Sequence, residues 1–470
     1  MLERLLRIAV LFTAALNYGC GGDDDTCDPI TQDGCDDDTV CEVVDGQEEP
    51  ACFEPVLVKG NVFDLGDDSA IAGARIVGLD ANSSPVSSVS ISDEDGEYEL
   101  AIPTTRTADG TPMGYDVTLR ADAAGYQTFP GGVRQALPVD TTTAVQDSGT
   151  GPWVVQTSLT DIGLLGLAEE AGTASIHGTV DVPVDRIGTL VVAEASDGVG
   201  YSAVADRDGD YTIFNLPADD YVVQGYARYV NYDPADVSLG ADDDAEVDLS
   251  INDTAASTLT GQVQFADPGD GSKTSIILVV ASTFDDVLQR GQTPPGLRAP
   301  DPGIEPNVDG SFSIEGVPEG EYYILAAFEN DYFVRDPDPC IAGTELVSAD
   351  IGGATTVAMD QEFKITGALT MYGPGADGPE ALTAEPTLEW KDDSSEEAYD
   401  ITVVDSFSNV VWQTRIDGVS GGDVSVPYAG DALEPGMYYQ WRVTSVRRVD
   451  ATPECKISTT EDLRGVFYLE

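Results

Sequence analysis

His177 is the one histidine among 470 residues. It leaves almost no material for a Ser/His/Asp relay or a multi-histidine zinc centre. A lone histidine following Ile176 on a strand reads as structural. Carboxylates are the opposite case. The chain has 85 Asp+Glu against 22 Lys+Arg, a formal net charge of −63, and no pair stands out for glycoside hydrolysis. Gly-x-Ser-x-Gly, P-loop and dinucleotide fingerprints are missing. Three Asp-Gly dipeptides, Asp95-Gly96, Asp208-Gly209 and Asp309-Gly310, invite a calcium-loop reading. An EF-type loop needs oxygen ligands at positions 1, 3 and 5, Gly at 6 and Glu at 12. Counting back from the glycines puts Ile91 and Val204 at position 1 in the first two. In the third, Glu305, Asn307 and Asp309 fit, but Gly316 stands at position 12. The dipeptides therefore read as tight turns, because Asp-Gly tolerates positive φ. No catalytic residue, metal or cofactor is expected, beyond adventitious calcium on so acidic a surface. Asp242-Asp243-Asp244 reads as a solvated loop.

The charge also restricts partners, since phosphate backbones would be repelled and nucleic acid is excluded. The hydrophobic share of 41% suffices for packed cores, and the length implies about three or four domains.

Seven cysteines is an odd number, and the N-terminus accounts for one. Arg4 and Arg7, partly offset by Glu3, precede Ile8 to Leu16, a run apolar except for Thr13. Such a run suits a signal segment and is too short to span a bilayer. Asn17-Tyr18-Gly19-Cys20 follows. A small residue before a cysteine resembles the cleavage site of bacterial lipoproteins, although Asn17 stands where their consensus has Leu. The resemblance implies removal of residues 1–19 and lipidation of Cys20. With Gly21 beside it, and not Asp, it implies a lipid-anchored outer-membrane or cell-surface protein. The alternative is an ordinary secretory signal, with Cys20 in a disulfide. If Cys20 carries lipid, Cys27, Cys35, Cys41, Cys52, Cys340 and Cys455 remain, and six can pair completely. The first four lie in acidic, turn-rich sequence with too little apolar content for its own core, so two disulfides would staple it. Three connectivities stay open. A zinc site is the rival, but the spacings are not Cys-x-x-Cys and the context is exported. Residues 20–54 read as an acidic Cys-rich tether, with the like-charge runs of Asp23–Asp25 and Asp36–Asp38 extended and solvated.

From Val56 onward the apolar pattern alternates in short runs bounded by Gly, Pro, Asp and Asn, which predicts strands and an all-β fold. An internal repeat runs through it. Asp95-Gly96-Glu97-Tyr98, Asp208-Gly209-Asp210-Tyr211 and Asp309-Gly310-Ser311-Phe312 each place an aromatic two residues after the glycine. The second and third continue alike, through Pro217 to Tyr221 and Pro318 to Tyr322. The first has Pro103, an inserted loop and Tyr115. Each copy opens on a Gly-x-Val strand, at Gly60, Gly178 and Gly261, and Ala124-Gly125-Tyr126 closes the motif in the first.

Together these residues resemble the carboxypeptidase regulatory-like domain, a transthyretin-like β-sandwich. The resemblance implies tandem Greek-key sandwiches at 55–168, 173–252 and 256–363, mostly non-catalytic in that family. Collagen-adhesin sandwiches, which resemble these repeats, cross-link a Lys to an Asn. The second copy has no lysine, and the first has only Lys59, with Asn61 and Asn82 placed early. In the tail, Trp390 on an early strand and Leu433-Glu434-Pro435-Gly436-Met437-Tyr438-Tyr439 resemble a fibronectin type III domain over 365–470. Tyr439 would be the corner tyrosine bonding back to the backbone. Pairing Cys340 with Cys455 would clamp the last two domains.

The reading is a non-enzymatic stalk for adhesion or interaction, anchored to the membrane by lipid and offering loops and strand edges to a protein partner. Its acidity favours cationic partners and holds the body off anionic lipid. The alternative is a carbohydrate-binding protein that uses some of its 19 tyrosines and four tryptophans on exposed sandwich faces to hold a polysaccharide.

Overall fold

The computed structural model describes residues 27 to 470 apart from 30–31, 33, 37–38, 48, 81–83, 114–115, 132–133, 147–150, 168–171, 183–187, 268–273, 286–289, 302–306, 329–345, 354, 360–361, 367, 394, 451–453 and 462. Among these residues there are strands and two short 3-10 turns and no α-helix. The strands form four sandwiches around four apolar clusters, and that of the third sandwich also takes in Leu190, Val192 and Tyr226 from the second.

The first three repeat one topology. An opening strand, Val56–Asp64, Ala174–Thr179 or Ser257–Asp267, pairs antiparallel with the strand after the Asp-Gly turn. A closing segment then returns parallel to the opening strand, at Trp153–Val155, Asp244–Glu246 and Thr356–Ala358. The second sheet centres on Arg75–Leu79 with Asp116–Asp122, Leu190–Ala195 with Asp220–Ala227, and Thr274–Val280 with Gly320–Phe328. Strand Thr274–Val280 is buried at every position. Ile276, Leu278 and Val280 enter the main core, while Ile277 and Val279 meet Phe284, Tyr323 and Leu346 on the other face. Its unbroken apolar run follows from that two-sided cover.

The repeat motif has a steric cause. Gly60 lies opposite Tyr98, Gly178 opposite Tyr211 and Gly261 opposite Phe312. A Cβ on Gly60 would sit 1.9 Å from the Thr160 carbonyl oxygen, and one on Gly178 would sit 2.0 Å from that of Val247. The tyrosines close the same spot from the partner strand: Tyr98 Oη donates to Thr160 O (2.6 Å) and Tyr211 Oη to Val247 O (2.7 Å). Phe312 has no hydroxyl, and there the Met359 sulfur takes the space, 2.2 Å from a Gly261 Cβ. The later Pro–Tyr pairing is explained likewise, since Tyr221 Oη and Tyr322 Oη donate to Pro217 O and Pro318 O. Tyr115 lies outside the described residues.

The fourth sandwich joins a three-stranded sheet (Met371–Gly373, Thr387–Lys391, Asp423–Pro427) to a six-stranded one that includes Ala398–Asp405, Val410–Asp417 and Tyr438–Arg447. Fully buried Trp390 packs edge-on to Tyr399 and beside Trp441. The corner tyrosine is in place: Tyr439 Oη accepts the Glu434 backbone N–H (2.9 Å).

Two features differ from the sequence reading. Strand Phe363–Thr366 pairs in parallel with Ser257–Asp267, so the third sandwich extends past 363 and across the expected start of the fourth at 365. A stalk of domains in a row is also not what forms, because the first sandwich contacts each of the other three. Arg120, with a side chain 3% exposed, sits where three of them meet. It grips Asp122 of its own sandwich, donates to Ser202 O of the second (2.7 Å), and donates to Gln292 Oε1 of the third (2.7 Å). The fourth docks through Phe407, whose ring meets Phe63 edge-on and whose carbonyl accepts from Arg134. Arg120 and Arg134 thus tie the first sandwich to its neighbours through charge-assisted hydrogen bonds.

Candidate functional site

The site with the most developed chemistry is the Cys-rich segment and its seat on the first sandwich. Cys27 is bonded to Cys41, and Cys35 to Cys52. The sulfurs of Cys27, Cys35 and Cys41 lie within 4.8 Å of one another, but the two disulfides occupy them, leaving no thiolate to ligate zinc. Strands Val40–Glu42 and Ala51–Phe53 form a hairpin in which Cys41 faces Cys52, each bonded elsewhere. Gln32 holds the loop by offering its side-chain amide to both backbone groups of Cys41.

This hairpin is docked where an extended tether was expected. The Glu42 and Arg106 side chains form an ion pair, each 1% exposed. Glu42 Oε1 accepts the Thr104 N–H (2.8 Å), and Arg106 also donates to Glu54 O (2.8 Å) and Gly110 O (3.2 Å) while lying over the Phe53 ring. Backbone bonds join Val43 and Asp45 to Arg106. Burial pushes the Glu42 carboxyl above its ordinary range, against the pull of Arg106. Glu42 follows Cys41, and Phe53 and Glu54 follow Cys52, so both disulfides end beside the partners of Arg106. No sequence motif marks Arg106. The available signal was scarcity, since a chain with so few cations has few that could neutralise a buried acid.

The turn residues sort differently than the sequence suggested. Asp93 and Asp206, three residues before the glycines, organise the first two turns. Asp93 Oδ1 accepts from Asp95 N and Glu97 N, and Asp206 Oδ1 accepts from Asp208 N and Asp210 N. Asp95 and Asp208 are exposed, while Gly96 and Gly209 supply positive φ (78° and 92°). Asp309 is exposed and Gly310 lacks positive φ, so the third turn is built another way. The second turn is also a domain contact: Arg75 donates to Asp210 O (2.8 Å). Asp244, expected in a solvated loop, lies on a paired strand and accepts from Ser175 Oγ, with His177 Nδ1 at 2.9 Å. The serine faces the aspartate and not the histidine, so this is no nucleophile relay. Lys59 pairs with Glu99, and Asn61 bonds Asp161, so neither makes the cross-link contact.

Cys455 is buried and disulfide-bonded. Cys340, the partner expected for it, lies outside the described residues, as does Cys20. Among the described residues, the largely exposed aromatics are Tyr229 and Tyr372, on different sandwiches. They do not form the row on one sheet face that sugar stacking would require.

Residues 379–461, within the fourth sandwich, match the family described as the Rha78A-like, N-terminal immunoglobulin domain. None of the curated proteins compared with the chain matches it. Among solved structures, a DUF3823 family protein from Bacteroides ovatus is 13% identical, covering 46% of this chain and 100% of its own, with a TM-score of 0.22. A streptococcal ancillary pilin is 14% identical over 66% and 99%, with a TM-score of 0.15. The major pilin subunit of Bacillus cereus is 12% identical over 66% and 99%, with a TM-score of 0.17. Similarities of that size carry no argument about this chain. The chain is a set of tandem β-sandwiches, and its fourth sandwich is similar to immunoglobulin-type domains.

Proposed function

We propose that this chain is a non-enzymatic surface protein, anchored by lipid at Cys20 in the outer membrane or at the cell surface, that displays an acidic cluster of sandwiches for adhesion or interaction. One observation carries the reading. The segment after Cys20 holds two disulfides, and disulfides persist in exported proteins and are rare in the cytosol. The signal-like residues 1–19 and the sandwich architecture agree with it. The body works by contact, without metal or cofactor. Its partner is a protein with a cationic surface, since the net charge of −63 attracts positive surfaces and repels anionic ones. Protease shaving of intact cells with metabolic lipid labelling tests the reading. The expected result is loss of the body with a lipidated stub left behind, and release of a Cys20→Ala variant from the membrane. A Cys20→Ala variant that stayed membrane-bound would refute the anchor, and a body fully protected in intact cells would refute surface display.

A further inference from the structure

The contact between one sandwich and the next is itself repeated. Asn215 of the second sandwich, at positive φ (62°), bonds the turn of the first: its Oδ1 accepts from Gly125 N (2.7 Å) and its Nδ2 donates to Ala123 O and Tyr126 O. Gly316 of the third holds the equivalent place, two residues before the repeat proline, also at positive φ (74°). Its carbonyl accepts the N–H of Tyr229, in the corresponding turn of the second sandwich (2.8 Å). Next to that proline, the Glu319 N–H donates to Asn231 Oδ1 of the second sandwich (2.6 Å). Each following sandwich thus receives its predecessor on the same end.

No sandwich precedes the first among the described residues, yet its equivalent position is filled. Thr104 follows Pro103 as Glu319 follows Pro318, and the Thr104 N–H donates to Glu42 Oε1 (2.8 Å). A side-chain oxygen from the preceding chain segment accepts the same backbone N–H in both places. We infer that the Cys-rich segment is the end cap of the sandwich array, occupying on the first sandwich the docking end that the second occupies on the third. Terminal units of repeat arrays need such closure, since an open docking end leaves polar and apolar groups without the neighbour that covers them. The disulfides make a segment too small to fold alone stiff enough for the role.

Residue-specific amide exchange on the full oxidised chain tests this. In the wild type, Thr104 and Glu319 should both be protected. Glu42→Gln should raise exchange at Thr104 by more than about a hundredfold by stranding the buried Arg106, and leave Glu319 unchanged. Asn231→Ala should do the converse. The pair Glu42→Leu with Arg106→Met should keep the hairpin seated and residues 43–54 protected, which separates release from misfolding. Unchanged exchange at Thr104 in Glu42→Gln, or at Glu319 in Asn231→Ala, would overturn the equivalence. The measurement uses no lipid, so it can fail while the anchor stands, and the reverse.

Discussion

Arg106 and Arg415 each pair with carboxylate, Arg106 through its Nε alone and Arg415 through two forks, and they sit in opposite surroundings. Arg106 is 1% exposed and joins the cap to the first sandwich. Arg415 is 42% exposed and lies on the face of the fourth, between Asp400 (2.8 Å) and Glu454 (2.8 and 2.9 Å). Burial drives the Glu42 carboxyl up, whereas hydrogen bonds from Arg415 hold the Glu454 carboxyl below its ordinary value. The same two functional groups make a docking element in one place and a solvent-screened contact in the other. Water makes the difference: without it, losing one partner leaves a charge that nothing else can solvate, and with it the exposed pair contributes little.

The largest expected effect separates the two directly. Glu42→Gln should cost about 3–5 kcal/mol in the seating of the cap, read as the urea dependence of exchange over residues 40–54. Glu454→Gln should leave the exchange of its own strand pair where it was.

Arg120 tests whether burial alone sets the scale, since it is buried like Arg106 but bonds two other sandwiches. Arg120→Ala removes the arginine donor from Ser202 O and Gln292 and leaves Asp122 with the Thr128 hydroxyl. It should cost about 2–3 kcal/mol and lower the coupling of the first three sandwiches in chemical denaturation. A smaller loss would mean the cap is a special case. In the reverse direction, replacing the whole buried pair by Glu42→Leu and Arg106→Met should change stability by about 1 kcal/mol or less, because no charge is left behind.

The exposed pair has a pH dependence of definite sign. Glu454 is depressed below 4.5, so its small contribution is present above that value and lost as pH falls through the folded one. The smallest effect is salt: about 1 M should weaken the Arg415 contacts and leave the Arg106 pair unchanged.

Much of the fold was legible because its causes are local. Strand periodicity, the Gly-x-Val opening, the aromatic after Asp-Gly and the corner tyrosine all follow from contacts within one sandwich, and similar spacing recurs in three copies. The motif was less legible where its residues act at a distance. Asp95 and Asp208 marked the turns, but Asp93 and Asp206 hold them. Nothing in the sequence singles out Asn215, whose amide meets the preceding domain. The Cys-rich segment reads as solvated because its sequence is acidic and turn-rich, and nothing near Glu42 announces a cation 64 positions away.

The sequence by itself determined the class of fold, the number of repeats and the supply of cysteines, since composition and short-range pattern fix which surfaces strands must bury. Only the tertiary structure decided which cysteines pair, which end of each sandwich receives its neighbour, and what each scarce arginine does. Those outcomes depend on burial, and burial is a property of the assembled chain: the same guanidinium and carboxylate exchange roles according to whether water can reach them.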